Sequence, residues 1–303
     1  RLGAVNLARG ATEVRFSRDA GQTLVFASQM ETGRVYEIDR AGRRTLRRFD
    51  TRGRLTKMME LSRDGFTLYT SNWHSNDISE IDLVSGRVRR RFRSGRAPRG
   101  LVLSADGRSL YVATFGAGTI EKIDLAASPR GARRRVIYRG GSSMRHIVAD
   151  HTRGRLYASD LNRHEIVVVD TASDRAHVLA ATDRKPNTIA LGPRGRVLFV
   201  SCRGRNHRES FHRRGPEWGS VLLLDALDGR VLDAIVGGNQ PTGLSVSADG
   251  RTLAFSDFLD GRLRVYDVPS YKVLRAGRGG RAKSHLRDLA KDAYARRWVL
   301  RRW

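Results

Sequence analysis

The chain has 303 residues, of which 40% are hydrophobic and 29% are charged, a composition typical of a globular protein rather than a disordered one. It contains no run of about 18 apolar residues, so the sequence predicts no membrane-spanning helix. Basic residues number 57 and acidic residues 31, which gives a formal net charge of +26.

Arginine supplies nearly all of this positive charge, because only six of the 57 basic residues are lysines. Guanidinium groups pair well with phosphates, so one interpretation is a polyanionic partner such as nucleic acid. The other is a compositional drift toward arginine on solvated outer strands, which the even spread of basic residues along the chain favours. Composition alone leaves both interpretations open.

Cys202 is the single cysteine, so the chain can form no internal disulfide. The sequence begins at Arg1 and carries no signal peptide. We expect either that an export segment has been removed or that the sequence is a fragment.

A repeated unit organises the chain, and it is clearest in residues 101–124. A short apolar run leads into a Ser-Ala-Asp-Gly turn at 104–107, and a β-rich run follows at 110–114. Asp-Gly between two such runs is the strongest short hairpin signal. A third run, with alternating apolar residues, ends on Asp124. The unit therefore predicts three consecutive antiparallel strands.

Six copies of this unit follow one another when the chain is aligned on the turn and on the closing aspartate. They are residues 12–39, 57–82, 101–124, 145–170, 187–225 and 242–267. A turn and a fourth strand follow the closing aspartates, and four short antiparallel strands per repeat of this length predict the blades of a β-propeller. The fifth copy is longer because residues 206–218 are inserted between its second and third strands.

The two ends of the chain depart from the repeat. Residues 2–7 are interpreted as the remnant outer strand of a seventh blade, with a six-bladed ring as the alternative. We assign residues 1–276 to the propeller and residues 277–303 to a basic tail with a short amphipathic helix after Ser284. That helix either docks on a polyanion or membrane surface or packs on the propeller edge.

The repeats carry a family resemblance. Leu-Tyr-Val-Ala-Thr at 110–114, Leu-Tyr-Thr-Ser-Asn at 68–72 and the Ser-x-Asp-Gly turns resemble the YVTN-repeat (YncE-like) family of bacterial β-propellers. Pro98 and Pro241, each before an innermost strand, fit the same pattern. The resemblance implies an all-β propeller that usually closes with seven blades, and a binding protein located in the periplasm or outside the cell. It implies little about activity, because a fold does not determine a function.

Two sets of loops meet on one face of a propeller, around its central channel: those that lead into each innermost strand and those that join the second and third strands. Polar side chains that differ from blade to blade at these positions predict a ligand site. The predicted ligand-binding residues are Lys57, His74, Arg99, Arg145, His146, Asp160, Asn187, Arg203 and Asp257.

The chemistry of this set permits two interpretations. Lys57, Arg99, Arg145 and Arg203 would together attract an anionic ligand, with single-stranded DNA as one specific candidate. The oxygen atoms of Glu13, Asn187 and Asp257 are instead the ligands that a hard cation such as Ca²⁺ prefers, and lactone-hydrolysing propellers hold a metal with such a mixture. The neighbouring arginines would repel a cation and so disfavour the metal-site interpretation.

The insertion at residues 206–218 adds a further hypothesis, in which Phe211 and Trp218 stack on a base or sugar while arginines contact phosphate. The alternative is a solvated loop with Trp218 packed against its own blade.

The sequence gives no catalytic motif. Cys202 is interpreted as a buried inert thiol, and we predict no catalytic residue and no cofactor. We therefore interpret the chain as a monomeric, extracytoplasmic, non-catalytic binding protein for an anionic ligand or macromolecule. A metal-dependent lactonase-like hydrolase is the alternative.

Overall fold

Six antiparallel sheets follow one another in a computed structural model that describes residues 4–7, 10–127, 133–141 and 143–277. The fold is a β-propeller, and each sheet is one blade whose strands pair in chain order. The chain divides into two compact units, a first half up to His151 and a second half from Thr152 onward. The predicted all-β propeller is confirmed.

The first three blades contain twelve strands: β1 (Ala11–Phe16), β2 (Leu24–Gln29), β3 (Arg34–Asp39), β4 (Arg44–Asp50), β5 (Thr56–Leu61), β6 (Thr67–Asn72), β7 (Asp77–Asp82), β8 (Val88–Arg93), β9 (Pro98–Leu103), β10 (Ser109–Thr114), β11 (Thr119–Asp124) and β12 (Arg134–Arg139). The last three contain eleven in the described part of the chain: β13 (Met144–Asp150), β14 (Arg155–Asp160), β15 (Glu165–Asp170), β16 (Ala176–Ala181), β17 (Pro186–Leu191), β18 (Val197–Cys202), β19 (Ser220–Asp225), β20 (Val231–Val236), β21 (Pro241–Val246), β22 (Thr252–Asp257) and β23 (Arg262–Asp267). Helix α1 (Tyr271–Arg275) follows, and Pro193–Gly195 forms one turn of 3₁₀-helix.

The Ser-x-Asp-Gly turn joins the first two strands of a blade through local hydrogen bonds. In the third blade, the Ser104 hydroxyl donates to Asp106 Oδ1 at 2.5 Å and accepts from the Ser109 amide at 2.9 Å. Gly107 has a φ of 71°, a left-handed conformation that glycine adopts without steric cost. Because these contacts are local, the sequence alone predicts the hairpin.

The closing aspartates start the next turn. Asp82 Oδ1 accepts the backbone amides of Val84 at 2.8 Å and Ser85 at 3.1 Å. These backbone hydrogen bonds, followed by the contact with Arg89, hold the pKa of Asp82 below its usual value. A carboxylate at this position therefore turns the chain into the fourth strand, which is a structural role.

A serine near the end of the second strand joins neighbouring blades within each half. The Ser28 hydroxyl donates to the Lys57 carbonyl at 2.7 Å, and the Ser71 hydroxyl donates to the Arg99 carbonyl at 2.8 Å. In the second half, Ser159 donates to the Asn187 carbonyl at 2.9 Å. The bond fixes the backbone at the start of the next innermost strand.

Each half has its own apolar core between the sheets. Phe49, Met59 and Leu68 belong to a buried cluster of the first half, each at most 2% exposed. Phe199 and Phe255 are equally buried in the second half. Burial of side chains this large stabilises a fold by roughly 1.5–3 kcal/mol each, which makes these layers the main source of rigidity under the loops.

The chain ends differ from the sequence-based interpretation. Residues 4–7 form no strand; Val5 and Leu7 pack instead against the buried cluster of Ala27, Tyr36 and Ile38 in the first blade. The interpretation of residues 2–7 as the outer strand of another blade is therefore not supported over residues 4–7.

The sixth blade has three strands in the described residues, where a fourth strand was predicted. Helix α1 occupies that stretch because Pro269 offers no amide to a sheet and Ser270 caps the helix by accepting the Val273 amide at 3.4 Å. Leu274 anchors the helix to the core, at 4% exposure. The helix predicted after Ser284 lies outside the described residues. No helix in the described part of the chain has the length and apolar character needed to cross a membrane.

Candidate functional site

Three cationic side chains of the first half stand at the same register position, the second residue of an innermost strand. Lys57, Arg99 and Arg145 hold this place in β5, β9 and β13, and we refer to them as the cation cluster. Gly100 lets β9 and β13 approach closely, since a Cβ atom there would lie 2.9 Å from the Ile147 backbone nitrogen. Their equal register and the close strand approach place these side chains together.

Lys57 occupies a half-buried place between two blades. Its Nζ lies 3.0 Å from Met30 Sδ and 5.6 Å from the centre of the Trp73 ring. Burial, followed by the charges of Arg99 and Arg145, lowers the pKa of Lys57 from 10.5 to about 8. The effect of both arginines on Lys57 indicates that their guanidinium groups lie near its ammonium group.

Arg99 is more enclosed than Lys57. Burial lowers the pKa of its guanidinium to about 10, and the charge of Glu13 partly offsets this effect. The Arg99 Nε atom is buried and has no hydrogen-bond partner in the protein. An unsatisfied buried donor costs about 1–3 kcal/mol, so this group is suited to bind an acceptor from outside the chain.

Two aromatic rings lie beside the cations. The centres of the Trp73 and Phe115 rings are 4.8 Å apart, with their planes tilted by 35°. The Arg145 guanidinium lies 5.8 Å from the centre of the Phe115 ring, as Lys57 lies over Trp73. We call Trp73 and Phe115 the aromatic pair. Such contacts orient a cation without neutralising it.

Glu13 is the carboxylate that acts on this cluster. One of its oxygens accepts the Met59 amide and the other pairs with Arg15 at 2.9 Å. Burial raises the pKa of Glu13, while Arg15, the Met59 amide and Arg99 act in the opposite direction. Because Glu13 is already paired with Arg15, Lys57 and Arg99 form no ion pair with a carboxylate among the described residues.

The residue after the second strand makes an equivalent backbone hydrogen bond in five of the blades, as far as the described residues show. The backbone amides of Met30, Trp73 and Phe115 donate to Gly10, Leu55 and Ala97, at 3.0, 3.0 and 2.8 Å. In the second half, Arg203 and Phe258 make the same bond to Lys185 and Gln240, at 3.0 Å each. The residue one place earlier ends the strand and is buried, as with Gln29, Asn72, Thr114, Asp160, Cys202 and Asp257.

This register explains which residues sequence reasoning found and which it missed. The predicted residue Arg203 stands at this equivalent position, whereas the predicted residue His74 lies one residue further along the chain and is exposed. The missed residues are Trp73 and Met30, which both contact Lys57. Counting from the last residue of each second strand would have found them.

The other first-half residue predicted for the site is His146, which follows Arg145 on β13 and is buried, at 8% exposure. It is therefore adjacent to the cation cluster in the chain but enclosed.

The polar residues predicted in the second half serve local structure. Asp160 Oδ1 accepts the backbone amides of Asn162 and Arg163, at 3.2 and 3.1 Å. Asp257 accepts the Gly238 amide at 2.8 Å and pairs with Arg264. The structure thus builds these carboxylates into turns and ion pairs.

Asn187 of the same half lies on β17, the innermost strand of its blade, and is fully buried. Its side-chain amide donates to the Thr242 carbonyl at 3.4 Å, a bond to the next innermost strand.

Arg203 belongs to an arrangement that holds the insertion of residues 206–218. Its guanidinium donates to Gln240 Oε1 and lies 5.8 Å from the centre of the Phe211 ring. Gln240 Nε2 in turn donates to the Phe211 carbonyl at 2.7 Å. Phe211 itself is 49% exposed.

The insertion's arginines are partly paired. Arg213 contacts Glu209, and Arg214 pairs with Asp260 at 3.0 Å. Trp218 is 39% exposed. A phosphate partner would therefore compete with existing ion pairs at this loop.

The donor set proposed for a metal does not fit a hard cation. The described residues include no group of three or more His, Cys, Asp or Glu side chains arranged to hold one. Glu13 and Asp257 are each paired with an arginine, which would repel the ion. Cys202 is buried, and burial raises the pKa of its thiol well above the usual value, so it is a poor nucleophile.

A cavity of about 520 Å³ in the first half lies at the opposite end of the innermost strands from the cation cluster. Its lining includes Arg15, Arg18, Glu60, Leu101 and His151. Burial raises the pKa of Glu60 to about 7, with Arg15 and Arg18 acting against the shift. Mixed charge distinguishes this cavity from the cation cluster.

Comparison with known proteins supports the β-propeller fold but assigns the chain to no family. No family model matches the chain. A curated relative is the antigen Lp49 of Leptospira interrogans serogroup Icterohaemorrhagiae serovar copenhageni (strain Fiocruz L1-130), 44% identical over 123 residues. That match covers 40% of this chain and 27% of the antigen, so the chain spans about a quarter of the relative's length.

Solved structures resemble the chain along most of its length. Hydrazine synthase of Kuenenia stuttgartiensis matches with a TM-score of 0.75 and 19% identity, over 98% of this chain and 86% of that one. The β-propeller domain of Cps50 (Swd1) from Myceliophteria thermophila gives 0.67 and 16%, over 86% and 84%. A putative 6-phosphogluconolactonase from Bacteroides uniformis gives 0.66 and 15%, over 84% and 80%. At such identities the likeness concerns the fold alone.

Proposed function

We propose that this β-propeller is a binding protein that takes an anionic ligand at the cation cluster of its first half. The observation that carries the proposal is the convergence of Lys57, Arg99 and Arg145 in a partly buried volume. In the described residues neither Lys57 nor Arg99 forms an ion pair with a carboxylate. Repulsion and desolvation both disfavour this arrangement until an anion enters.

The energetics of the cluster support an anion over a neutral ligand. Removing a cation from water is costly, and the depressed pKa values of Lys57 and Arg99 express that cost. A phosphate or carboxylate oxygen would satisfy the buried Arg99 Nε and reduce the repulsion. A hydrogen bond to a charged group contributes about 1.5–3 kcal/mol.

The aromatic pair narrows the class of ligand. Trp73 and Phe115 offer a half-buried apolar surface next to the cations. A ligand that carries a planar group beside its anionic group would use both features, and single-stranded DNA is one candidate of this kind. We place the protein outside the cytoplasm as part of the proposal, on the YVTN-type resemblance of the repeats; fractionation of the native host is the test.

The test compares two arginine variants with a matched control. Fluorescence anisotropy of a fluorescein-labelled oligothymidylate and calorimetry with inorganic phosphate measure the binding of a polyanion and of a small anion. We expect Arg99→Gln and Arg145→Gln each to weaken binding of at least one probe by about tenfold, the loss of one charge-assisted contact.

Arg108→Gln is the control, because Arg108 is exposed on the hairpin turn of the blade that carries Arg99. It removes the same charge elsewhere on the surface. If all three variants bind both probes with equal affinity, or the unmodified protein binds neither probe, the proposal is wrong.

The lactonase-like alternative has less support. It needs Glu13, Asn187 and Asp257 to be available to a metal, but both carboxylates are in ion pairs and Asn187 hydrogen-bonds the Thr242 carbonyl. No observation on this chain favours it over the binding role.

A further inference from the structure

We propose that the Lys57 amine is the reactive group of this site and forms a reversible imine with anionic carbonyl compounds, such as 2-oxo acids or phosphorylated aldehydes. The inference rests on the proposed function, because Arg99 and Arg145 are what would hold the anionic end of the ligand. It goes beyond anion binding by naming a covalent step and the class of ligand that undergoes it.

The surroundings of Lys57 differ from those of a surface lysine. Its Nζ contacts Met30 Sδ at 3.0 Å and lies over the Trp73 ring, so two of its sides are apolar. The charged groups that act on it are Arg99 and Arg145, and Glu13 is engaged with Arg15. Within the described residues, no carboxylate lies close enough to pair with the ammonium form.

This environment keeps part of the amine neutral near physiological pH. With a pKa of about 8, roughly a quarter of Lys57 is unprotonated at pH 7.5, against about one in a thousand for a lysine at the usual 10.5. The neutral amine is the nucleophile, and neighbouring cations are a known means of producing it. The same arginines therefore activate the amine and bind the anion.

The remaining described lysines serve as internal references. Lys122 lies over the Tyr111 ring with 5.4 Å between its Nζ and the ring centre, and Lys185 donates to Asn162 at 3.2 Å. Lys272 is exposed on α1. Lys57 is the described lysine for which two neighbouring arginines are shown to act on the amine.

Imine formation needs no reactant besides the Lys57 amine and the carbonyl compound. The Lys57 nitrogen pair attacks the carbonyl carbon, and the carbon–oxygen π pair moves to oxygen, which takes up a proton. The nitrogen loses its proton, and the resulting carbinolamine expels one water molecule as the C=N bond forms. Hydrolysis reverses the reaction, so the ligand is held and released unchanged.

The experiment traps the imine by reduction. The full chain is incubated at pH 7.5 with glyoxylate, an anionic aldehyde, in the presence of sodium cyanoborohydride, and peptides are mapped by mass spectrometry. With only six lysines in the chain, each site can be followed separately. We expect Lys57 to be modified at least tenfold faster than Lys122 or Lys272.

Acetaldehyde, which is uncharged, separates anion recognition from intrinsic reactivity. The preference for Lys57 should shrink with this probe, and Arg99→Gln should slow labelling by glyoxylate more than labelling by acetaldehyde. Lys57→Arg removes the labelled site, whereas Lys272→Arg leaves the labelling of Lys57 as it was.

The results distinguish a failure of this inference from a failure of the proposed function. Uniform labelling of the lysines by glyoxylate, in a protein that binds oligothymidylate or phosphate through Arg99, overturns the imine alone. Uniform labelling together with no binding of either probe overturns both.

Discussion

The two halves of the chain use the same backbone at the start of their innermost strands but carry different side chains there. Ser71 donates to the Arg99 carbonyl in the first half, and Ser201 donates to the Thr242 carbonyl at 3.2 Å in the second. Arg99 is a half-buried cation, whereas Thr242 is neutral. The scaffold thus fixes the place of these residues and leaves their chemistry free to differ.

Lys57 and Arg99 also differ from the arginines that pair with a carboxylate, which occur in both halves. In the second half Arg264 pairs with Asp257 and Arg214 with Asp260, so these cations are neutralised locally. In the first half Lys57 and Arg99 stand together without such pairs among the described residues. In a chain with a net charge of +26, the informative feature is therefore an unneutralised cation, and arginine content by itself says little.

The largest expected effect comes from substitutions in the two apolar cores, which test whether the two halves are packed equally well. Phe49→Ala in the first half and Phe255→Ala in the second each remove a buried ring, at 2% and 1% exposure. We expect each to lower the free energy of unfolding by about 3–5 kcal/mol, the usual cost of such a cavity. Urea denaturation measures it, and a loss below 1 kcal/mol at either position would contradict equal packing.

The next largest effect is a dependence of stability on pH, and it arises from Glu60 in the first half. Burial raises the pKa of Glu60 from 4.5 to about 7, so the folded state holds a proton that the unfolded state releases between these values. Stability is therefore fully present below pH 4.5 and is lost as pH rises through 7, by about 3 kcal/mol.

Glu60→Gln should remove this loss, which denaturation at pH 5 and pH 8 would measure. Glu31→Gln, at an exposed carboxylate of the same half, is the control. Parallel pH profiles for Glu60→Gln and the unmodified protein would refute the assignment.

The serine bonds allow a finer comparison. Ser71 donates to the Arg99 carbonyl and accepts the Met58 amide at 3.0 Å. Ser256 accepts the Gly243 amide, also at 3.0 Å. We expect Ser71→Ala to cost about 1–3 kcal/mol and Ser256→Ala about 0.5–1.5 kcal/mol. Thermal or urea denaturation measures both losses of stability. If Ser256→Ala costs more than Ser71→Ala, the inter-blade hydrogen bond does not explain the difference.

The smallest effect is expected at the insertion. Phe211 is 49% exposed, and its side chain contributes little buried area. Phe211→Ala should change the free energy of unfolding by no more than about 0.5 kcal/mol, as is usual for surface positions. A loss above 2 kcal/mol would show that the insertion is part of the core of its half.

Much of the scaffold was predictable because its signals are local. The hairpin turns depend on contacts within five residues, as between Ser104 and Ser109, and the closing aspartates bond to amides two or three residues ahead. Lys57, Arg99 and Arg145 followed from the same repeat, since each holds the second place of its strand.

The rest depends on contacts that a sequence does not display. Trp73 replaced His74 because the pairing of Asn72 with Asp77 sets where the second strand ends. The pairing of Asp257 with Arg264 arises from packing across two strands, and it withdraws a carboxylate that looked available. Helix α1 replaced a predicted strand because a proline and a capping serine outweighed the repeat.

The hydrogen-bonded turn aspartates give the protein a built-in reference for pH experiments. Amide and hydroxyl donors hold the pKa values of Asp82, Asp106 and Asp170 below the ordinary value of 3.8. The stability that these ionised aspartates contribute is therefore fully present above pH 3.8 and is lost only at lower pH. Across the neutral range these turns stay ionised, so they do not contribute to a change in ligand affinity near pH 8.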